Sequence, residues 1–199
     1  MISSSTQPVR QPQNEIFDSF YELFIYESIE QIIQKHKNKE ASQISSNAPG
    51  QQSQQQASTV QQDIYHEIDM IARTLGRKII DLLIRDIQYK FQTQLDTMKF
   101  ICTEFWKFTF SKQVDNLRTN NTGTYIFTDE AFKFTGRVSN NDHESKEYKQ
   151  KIKCYESFVV GLIIGALMNI GYDKVPIVNT QIAGTKLVLT VNVPLPNLS

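Results

Sequence analysis

The sequence is short of the residues on which most catalytic and binding chemistries depend. Cysteine occurs twice, at Cys102 and Cys154, too few for a disulfide framework, and neither stands in a Cys-x-x-Cys metal spacing. A reducing compartment is the expectation. Charge of one sign is also missing. The 21 basic and 21 acidic side chains cancel, so no global positive field exists to hold a phosphate backbone, and a nucleic-acid partner is not expected. No run approaches the roughly 18 consecutive apolar residues of a bilayer span, and the N-terminus MISSSTQPVRQPQNE lacks the apolar stretch of a secretory leader. These absences fit a soluble intracellular protein, in which Asn120-Asn121-Thr122 matches a glycosylation acceptor by coincidence. Phosphate-loop, dinucleotide, hydrolase and zinc-protease signatures do not occur.

What is present is organised in blocks. Residues 1 to about 13 are Ser-, Gln- and Pro-rich and read as a flexible tail. The rest, residues 14–196, reads as a single domain. Asn14 to about Lys37 reads as a helix with acids first and lysines last, the order that complements the helix dipole. On a helical wheel Ile16, Phe17, Phe20, Leu23 and Phe24 fall together, while Ile25, Ile29, Ile32 and Ile33 gather on roughly the opposite side. Two apolar stripes imply contact with the chain's own domain and with something else, unless a kink reconciles them.

The Gln/Ser-rich segment at about 40–62, with Pro49-Gly50 in its middle, is compositionally a disordered loop. A helix from about Asp63 to Phe91 follows, with Ile64, Ile68, Ile71, Leu75, Ile79 and Leu82 in one stripe. Gly76 lies inside it, at a propensity cost of about 1 kcal/mol that close backbone approach can offset. A third helix, from about Gln94 to Lys112, is dense in apolar residues and marks the start of the core. Alternation in Thr124–Thr128 and Ala131–Thr135 predicts two strands joined at Asp129-Glu130. After a polar loop at Ser139–Lys146, a helix runs from about Tyr148 to Ile170, and Gly171 is placed to stop it. Pro176–Ile182 and Lys186–Val193 form a second hairpin through Ala183-Gly184. The tally predicts an α+β fold: a four-stranded antiparallel sheet with a layer of helices packed on one side.

Candidate chemistry is thin. His36, His66 and His143 are scattered and read as structural or exposed. Cys102, among Phe100, Ile101 and Phe105, reads as packing; Cys154, near several lysines, is the better candidate for reactivity, though no base is paired with it. Gly161 and Gly165, in a Gly-x-x-x-Gly spacing on an all-round apolar helix, would admit a neighbouring backbone. The segment Lys112–Asn120 has two readings: a recognition loop in which Arg118 pairs a partner carboxylate, or a polar connector satisfying helix and strand ends, which is the plainer one.

The stretch MKFICTEFWKFTFSKQVDNLRTNNTGTYIFTDEAF, with Phe105-Trp106, then Asp115-Asn116-Leu117-Arg118-Thr119-Asn120 and Gly123-Thr124-Tyr125, resembles the small-subunit family of TRAPP, the transport protein particle, in its sixth-subunit branch. Phe158, Gly161-Leu162-Ile163 and Gly165-Ala166-Leu167 extend the likeness. In that family Phe105, Trp106, Asp115, Asn116, Arg118, Asn120, Gly123, Tyr125, Gly161 and Gly165 would be structural signature residues. The resemblance implies a non-catalytic subunit of a vesicle-tethering and Rab nucleotide-exchange complex in endoplasmic-reticulum-to-Golgi and Golgi transport. It implies cytoplasmic placement, peripheral to the cis-Golgi and endoplasmic reticulum. It implies no cofactor, no metal and no membrane span, and a Rab GTPase contacted only indirectly. The partners implied are other TRAPP subunits, above all the third small subunit, a paralogue bound through the first two helices. Phe20, Phe24, Ile29, Ile68 and Leu75 are the residues expected near that interface. The related third subunit carries an acyl chain on a cysteine, whereas the helix IARTLGRKIIDLL here has none. Two other classes remain to be weighed: a small-molecule or lipid-binding domain of similar fold, and a hydrolase built around Cys154.

Overall fold

Two long helices open the chain because isoleucines recur at helical spacing along both. The computed structural model describes residues 12–44, 53–85, 91–120, 122–138, 145–172 and 176–193, of which 12–20, 43–44, 53–57 and 137 are described in backbone alone. Helix α1 runs Pro12–Ile44 and α2 runs Ser53–Arg85. Ile25, Ile29 and Ile33 of α1 are buried, as are Ile64, Ile68, Ala72, Ile79 and Ile80 of α2. The second α1 stripe is therefore the inward one, and Leu23 and Phe24 point out. Both helices invade the segment expected to be a loop: residues 40–44 and 53–62 are helical. Gln and Ala are good helix formers, and the helix breakers in this segment are confined to Pro49-Gly50. Residues 45–52 and the tail through residue 11 lie outside the described residues.

The third helix is not continuous. Helix α3, Gln94–Phe100, opens with a capping box between Thr93 and Asp96, passes through a π-helical turn at Ile101–Phe105, and resumes as α4, Trp106–Phe110. The wider turn shifts the helical phase. Ile101, Cys102, Phe105, Trp106 and Phe110 are all buried as a result. Ser111, at φ 58°, ends the helix in the left-handed region.

The sheet has four strands in the order β1-β2-β4-β3, every neighbour antiparallel. They are β1 Asn116–Thr119, β2 Thr124–Asp129, β3 Ile177–Ala183 and β4 Lys186–Asn192. The count agrees with expectation but one member does not. Ala131–Thr135 is no strand; Lys133–Arg137 is a 3-10 turn. Asp129 Oδ1 accepts from the Ala131 amide, and the Phe132 amide donates to the Thr185 carbonyl. These bonds turn the chain off the sheet, so Phe132 and Phe134 join an aromatic cluster with Phe110 and Tyr155 instead of a ladder. The missing strand comes from the polar segment, where Asn116–Thr119 forms a short, mostly exposed edge.

Helix α5, Lys146–Ile170, is capped by Ser145 and stopped at Gly171, whose φ is 111°. By length and composition it could cross a bilayer, yet 72% of its most apolar window is buried inside the fold. It is the core helix. Leu162, Ile163, Ala166 and Leu167 are fully enclosed between α2 and the sheet's inner face, where Phe127, Leu187, Leu189 and Val191 are also inaccessible. Close approach of α2 and α5 depends on glycine from both sides. A Cβ at Gly76 would strike the Leu162 carbonyl, one at Gly165 the Arg73 carbonyl, and one at Gly161 would lie 2.6 Å from the Asp69 carbonyl oxygen.

Candidate functional site

Two regions concentrate the residues singled out in the sequence. In the first, Trp106 is wholly buried and its Nε1 donates to Asp129 Oδ2 at 2.9 Å. The other carboxylate oxygen accepts from Lys112 Nζ at 2.7 Å and from the Ala131 amide. Lys112 also donates to Asp115 Oδ2 at 2.7 Å, an oxygen that takes the Glu130 amide as well. The hydrogen bond from Lys112 holds the Asp115 carboxyl below the usual carboxylate range. Asn120 Oδ1 accepts from the Thr122 and Thr124 amides and shapes the β1–β2 turn, where buried Gly123 has φ 91°. Tyr125 faces the core, and Asn116 and Arg118 are exposed on the edge strand. These contacts make the segment a connector that satisfies strand ends. Asp129 and Lys112 are its central members, and the sequence alone marks Asp129 only as a turn residue.

The second region is an apolar groove of about 520 Å³ between α1 and α2, with Phe158 of α5 on its floor. Phe24, Ile29, Ile68 and Leu75, four of the five residues expected near a partner, all line it. They differ in depth. Ile29 and Ile68 are 3% and 1% exposed and form the floor, Leu75 is half-buried, and Phe24 stands on the rim at 59%. Phe20 lies on α1, with a side chain outside the described set. Sequence reasoning missed Met70, on the rim at 51%; Ile71 at 49% stands beside it. Among the described residues, Lys78 is the one ionisable group in the lining.

Ionic contacts fasten α1 beyond the groove. Glu67 of α2 accepts from Lys35 Nζ at 2.7 Å and lies 2.7 Å from His36 Nε2, and the hydrogen bond from Lys35, then that from His36, lowers its carboxyl pKa. Glu30 pairs with Lys151 of α5 at 2.6 Å and Glu22 with Lys133 at 3.2 Å.

Neither cysteine is poised for chemistry. Cys102 and Cys154 are both buried, and burial pushes each thiol up to about 12. Cys154, the better candidate by sequence, is wholly enclosed, and its lysine neighbourhood does not offset desolvation. Among the described residues, no three His, Cys, Asp or Glu side chains converge as a metal requires.

Comparison with known proteins follows the same lines. Residues 21–192 match the family described as transport protein particle (TRAPP) component. Human trafficking protein particle complex subunit 6B is 38% identical over 101 residues, 51% of this chain and 61% of that protein. Human subunit 6A is 34% identical over 85 residues, 43% of this chain and 51% of the relative. The matched stretch thus spans less than two thirds of either relative's length. Among solved structures, subunit 3 of the same complex from Naegleria fowleri, crystallised covalently bound to palmitic acid, superposes with a TM-score of 0.52 at 12% identity, covering 84% of this chain and 96% of that one. That likeness is one of fold.

Proposed function

We propose an architectural role for this chain, which belongs to the transport protein particle (TRAPP) component family. It is a non-catalytic small subunit that docks the third small subunit, a paralogue of similar fold, along the α1–α2 groove. The observation that carries this reading is the groove itself: an apolar cleft whose rim exposes Phe24, Met70 and Ile71 beside a floor of buried isoleucine. Exposed large apolar side chains gathered in one cleft mark a partner surface, whereas single ones need no explanation. Through that pairing the subunit contributes to vesicle tethering and Rab nucleotide exchange between the endoplasmic reticulum and Golgi, held peripherally at those membranes by its neighbours.

The test lies on the rim. Charge at Ile29 or Ile68 would unfold the helix pair, because both are buried. Phe24→Glu and Ile71→Glu leave the core intact and should weaken co-purification of the third small subunit by about tenfold or more, equivalent to about 1.4 kcal/mol, with unchanged circular dichroism. Undiminished pairing in both well-folded variants overturns the assignment.

The same groove supports the second reading, a bound hydrocarbon, since its lining is almost wholly apolar. No cysteine lines it, so such a ligand would not be held through a thioester there. Native mass spectrometry of the isolated chain separates the two: a retained acyl-sized adduct that Phe24→Glu removes favours the hydrocarbon.

A further inference from the structure

Strand β3 forms one edge of the sheet. Its register with β4, Ile177 opposite Asn192 through Ala183 opposite Lys186, fixes the direction of its backbone groups once one of them is located. The Ile182 amide donates to Glu156 Oε1 at 2.9 Å and so points away from β4. By the alternation of an antiparallel ladder, the amides and carbonyls of Val178 and Thr180 point outward as well, while Ile177, Asn179 and Gln181 bond to β4. Glu156 blunts the far end of this edge. The Val178 and Thr180 amides have no partner among the described residues, and Thr180 Oγ1 is buried without one.

Exposed edges are commonly blunted by lysine, proline, a bulge or shortness. The other edge, β1, has four residues and carries Arg118. Strand β3 runs seven residues, IVNTQIA, with no charge and no proline. Beside its outward groups lies a cleft of about 350 Å³, walled on the other side by α2 and α5. Both carboxylates there are already answered, Asp69 by Arg73 at 2.6 Å and Glu156 by Lys153 at 2.7 Å. Still unpaired beside the cleft, among the described residues, are the outward amides of β3 and the imidazole of exposed His66. On the sheet's outer face, Ile177 is 65% exposed at the same edge.

We propose that β3 is a docking edge that takes an extended segment of a second TRAPP subunit as a fifth strand. The segment is uncharged, free of proline at its pairing positions, and alternating: apolar side chains cover Ile177 on the outer face, and hydroxyl or amide side chains enter the cleft, where His66 is exposed to bond them. Among the described residues, the cleft shares no lining residue with the α1–α2 groove. This inference rests on the proposed place of the chain in a multi-subunit complex.

Hydrogen exchange resolved by residue, on the isolated chain and on the complex purified through it, is the test. The Val178 and Thr180 amides should exchange at least about tenfold more slowly in the complex, with α1 and α2 also slowed. Ile177→Lys, at an exposed position, should restore fast exchange at Val178 and Thr180 while leaving the slowing of α1 and α2. Thr180→Pro removes an outward N–H that β4 does not use and should release Val178 likewise. Slowing of α1 and α2 with none at β3 overturns the docking edge and spares the groove; no slowing at either, or recovery of the chain alone, overturns both. Slow exchange at Val178 that survives both substitutions means simple covering, and the fifth strand is wrong. The same slowing in a homodimer of the isolated chain identifies a second copy as occupant and overturns the heterologous segment.

Discussion

At Asp129 the chain buries a carboxylate to 1% exposure and surrounds it with donors: an indole, an ammonium and an amide. Such a group stabilises the fold only while every partner is present, because removing one side leaves the others desolvated and unanswered. Asp129→Ala should therefore lower unfolding free energy by about 3 kcal/mol in urea titration, and Asp129→Asn, which keeps an acceptor for the indole, by about half as much. Equal losses would mean that packing and not hydrogen bonding sets the cost. Tryptophan in an apolar stretch predicts that some acceptor is needed, yet Asp129 is 23 residues away, so nothing local in the sequence could choose it. Glu67 gives a prediction with a sign. Its pKa is lowered in the fold by Lys35 and His36, so its contribution is present above the ordinary glutamate pKa and disappears as pH falls through the lowered value. Amides of α1 around Lys35 should accordingly exchange faster, relative to intrinsic rates, in acid than near neutrality. Glu67→Gln should remove that acid dependence.

At the scale of elements, the α2–α5 crossing decides most. Gly165→Ala adds helix propensity of about 1 kcal/mol but drives a methyl into the Arg73 carbonyl. Overpacking against backbone outweighs that gain, and a net loss of about 2 kcal/mol in chemical denaturation is expected. Gly136→Ala is the control: nothing lies within 4 Å of its added Cβ, and stability should stay within about 0.5 kcal/mol. Gly76, Gly161 and Gly165 were legible as close-approach positions because glycine inside an apolar helix needs a reason. Long isoleucine stripes made the helices legible too. Strand β1 was not legible, since Asn116, Arg118 and Thr119 are exposed on an edge and show no apolar alternation. Phe132 and Phe134 alternate like a strand, yet the alternation serves an aromatic cluster, and the decisive bonds come from Asp129 and Thr185. The π turn escaped because a continuous apolar stretch hides a shift of phase. The groove was half legible: two stripes on α1 announced an outside contact, but only their depth separates the rim of Phe24 from the floor of Ile29.

At the scale of the whole molecule, α1 is held to the rest along one face. Its buried stripe of Ile25, Ile29 and Ile33 is reinforced by partly exposed ion pairs to α2, to α5 and to the turn after β2. Such pairs contribute little singly and weaken with salt. On the proposed docking, a subunit seated in the groove would clamp α1 against α2 and bind only the folded state, raising stability by mass action, by about 2.7 kcal/mol at a hundredfold excess over Kd. Because Lys78 is the one ionisable residue among the described residues of the groove, that increment should change little between low and high salt, while the isolated chain loses some of its hold on α1. Thermal melts with increasing third small subunit measure both. Phe24→Glu combined with Ile71→Glu should melt like the parent chain alone and show no increment, since both side chains stand on the rim and not in the core. An increment that vanished with added salt would place the docking surface among the charged faces of the molecule and remove the groove from it.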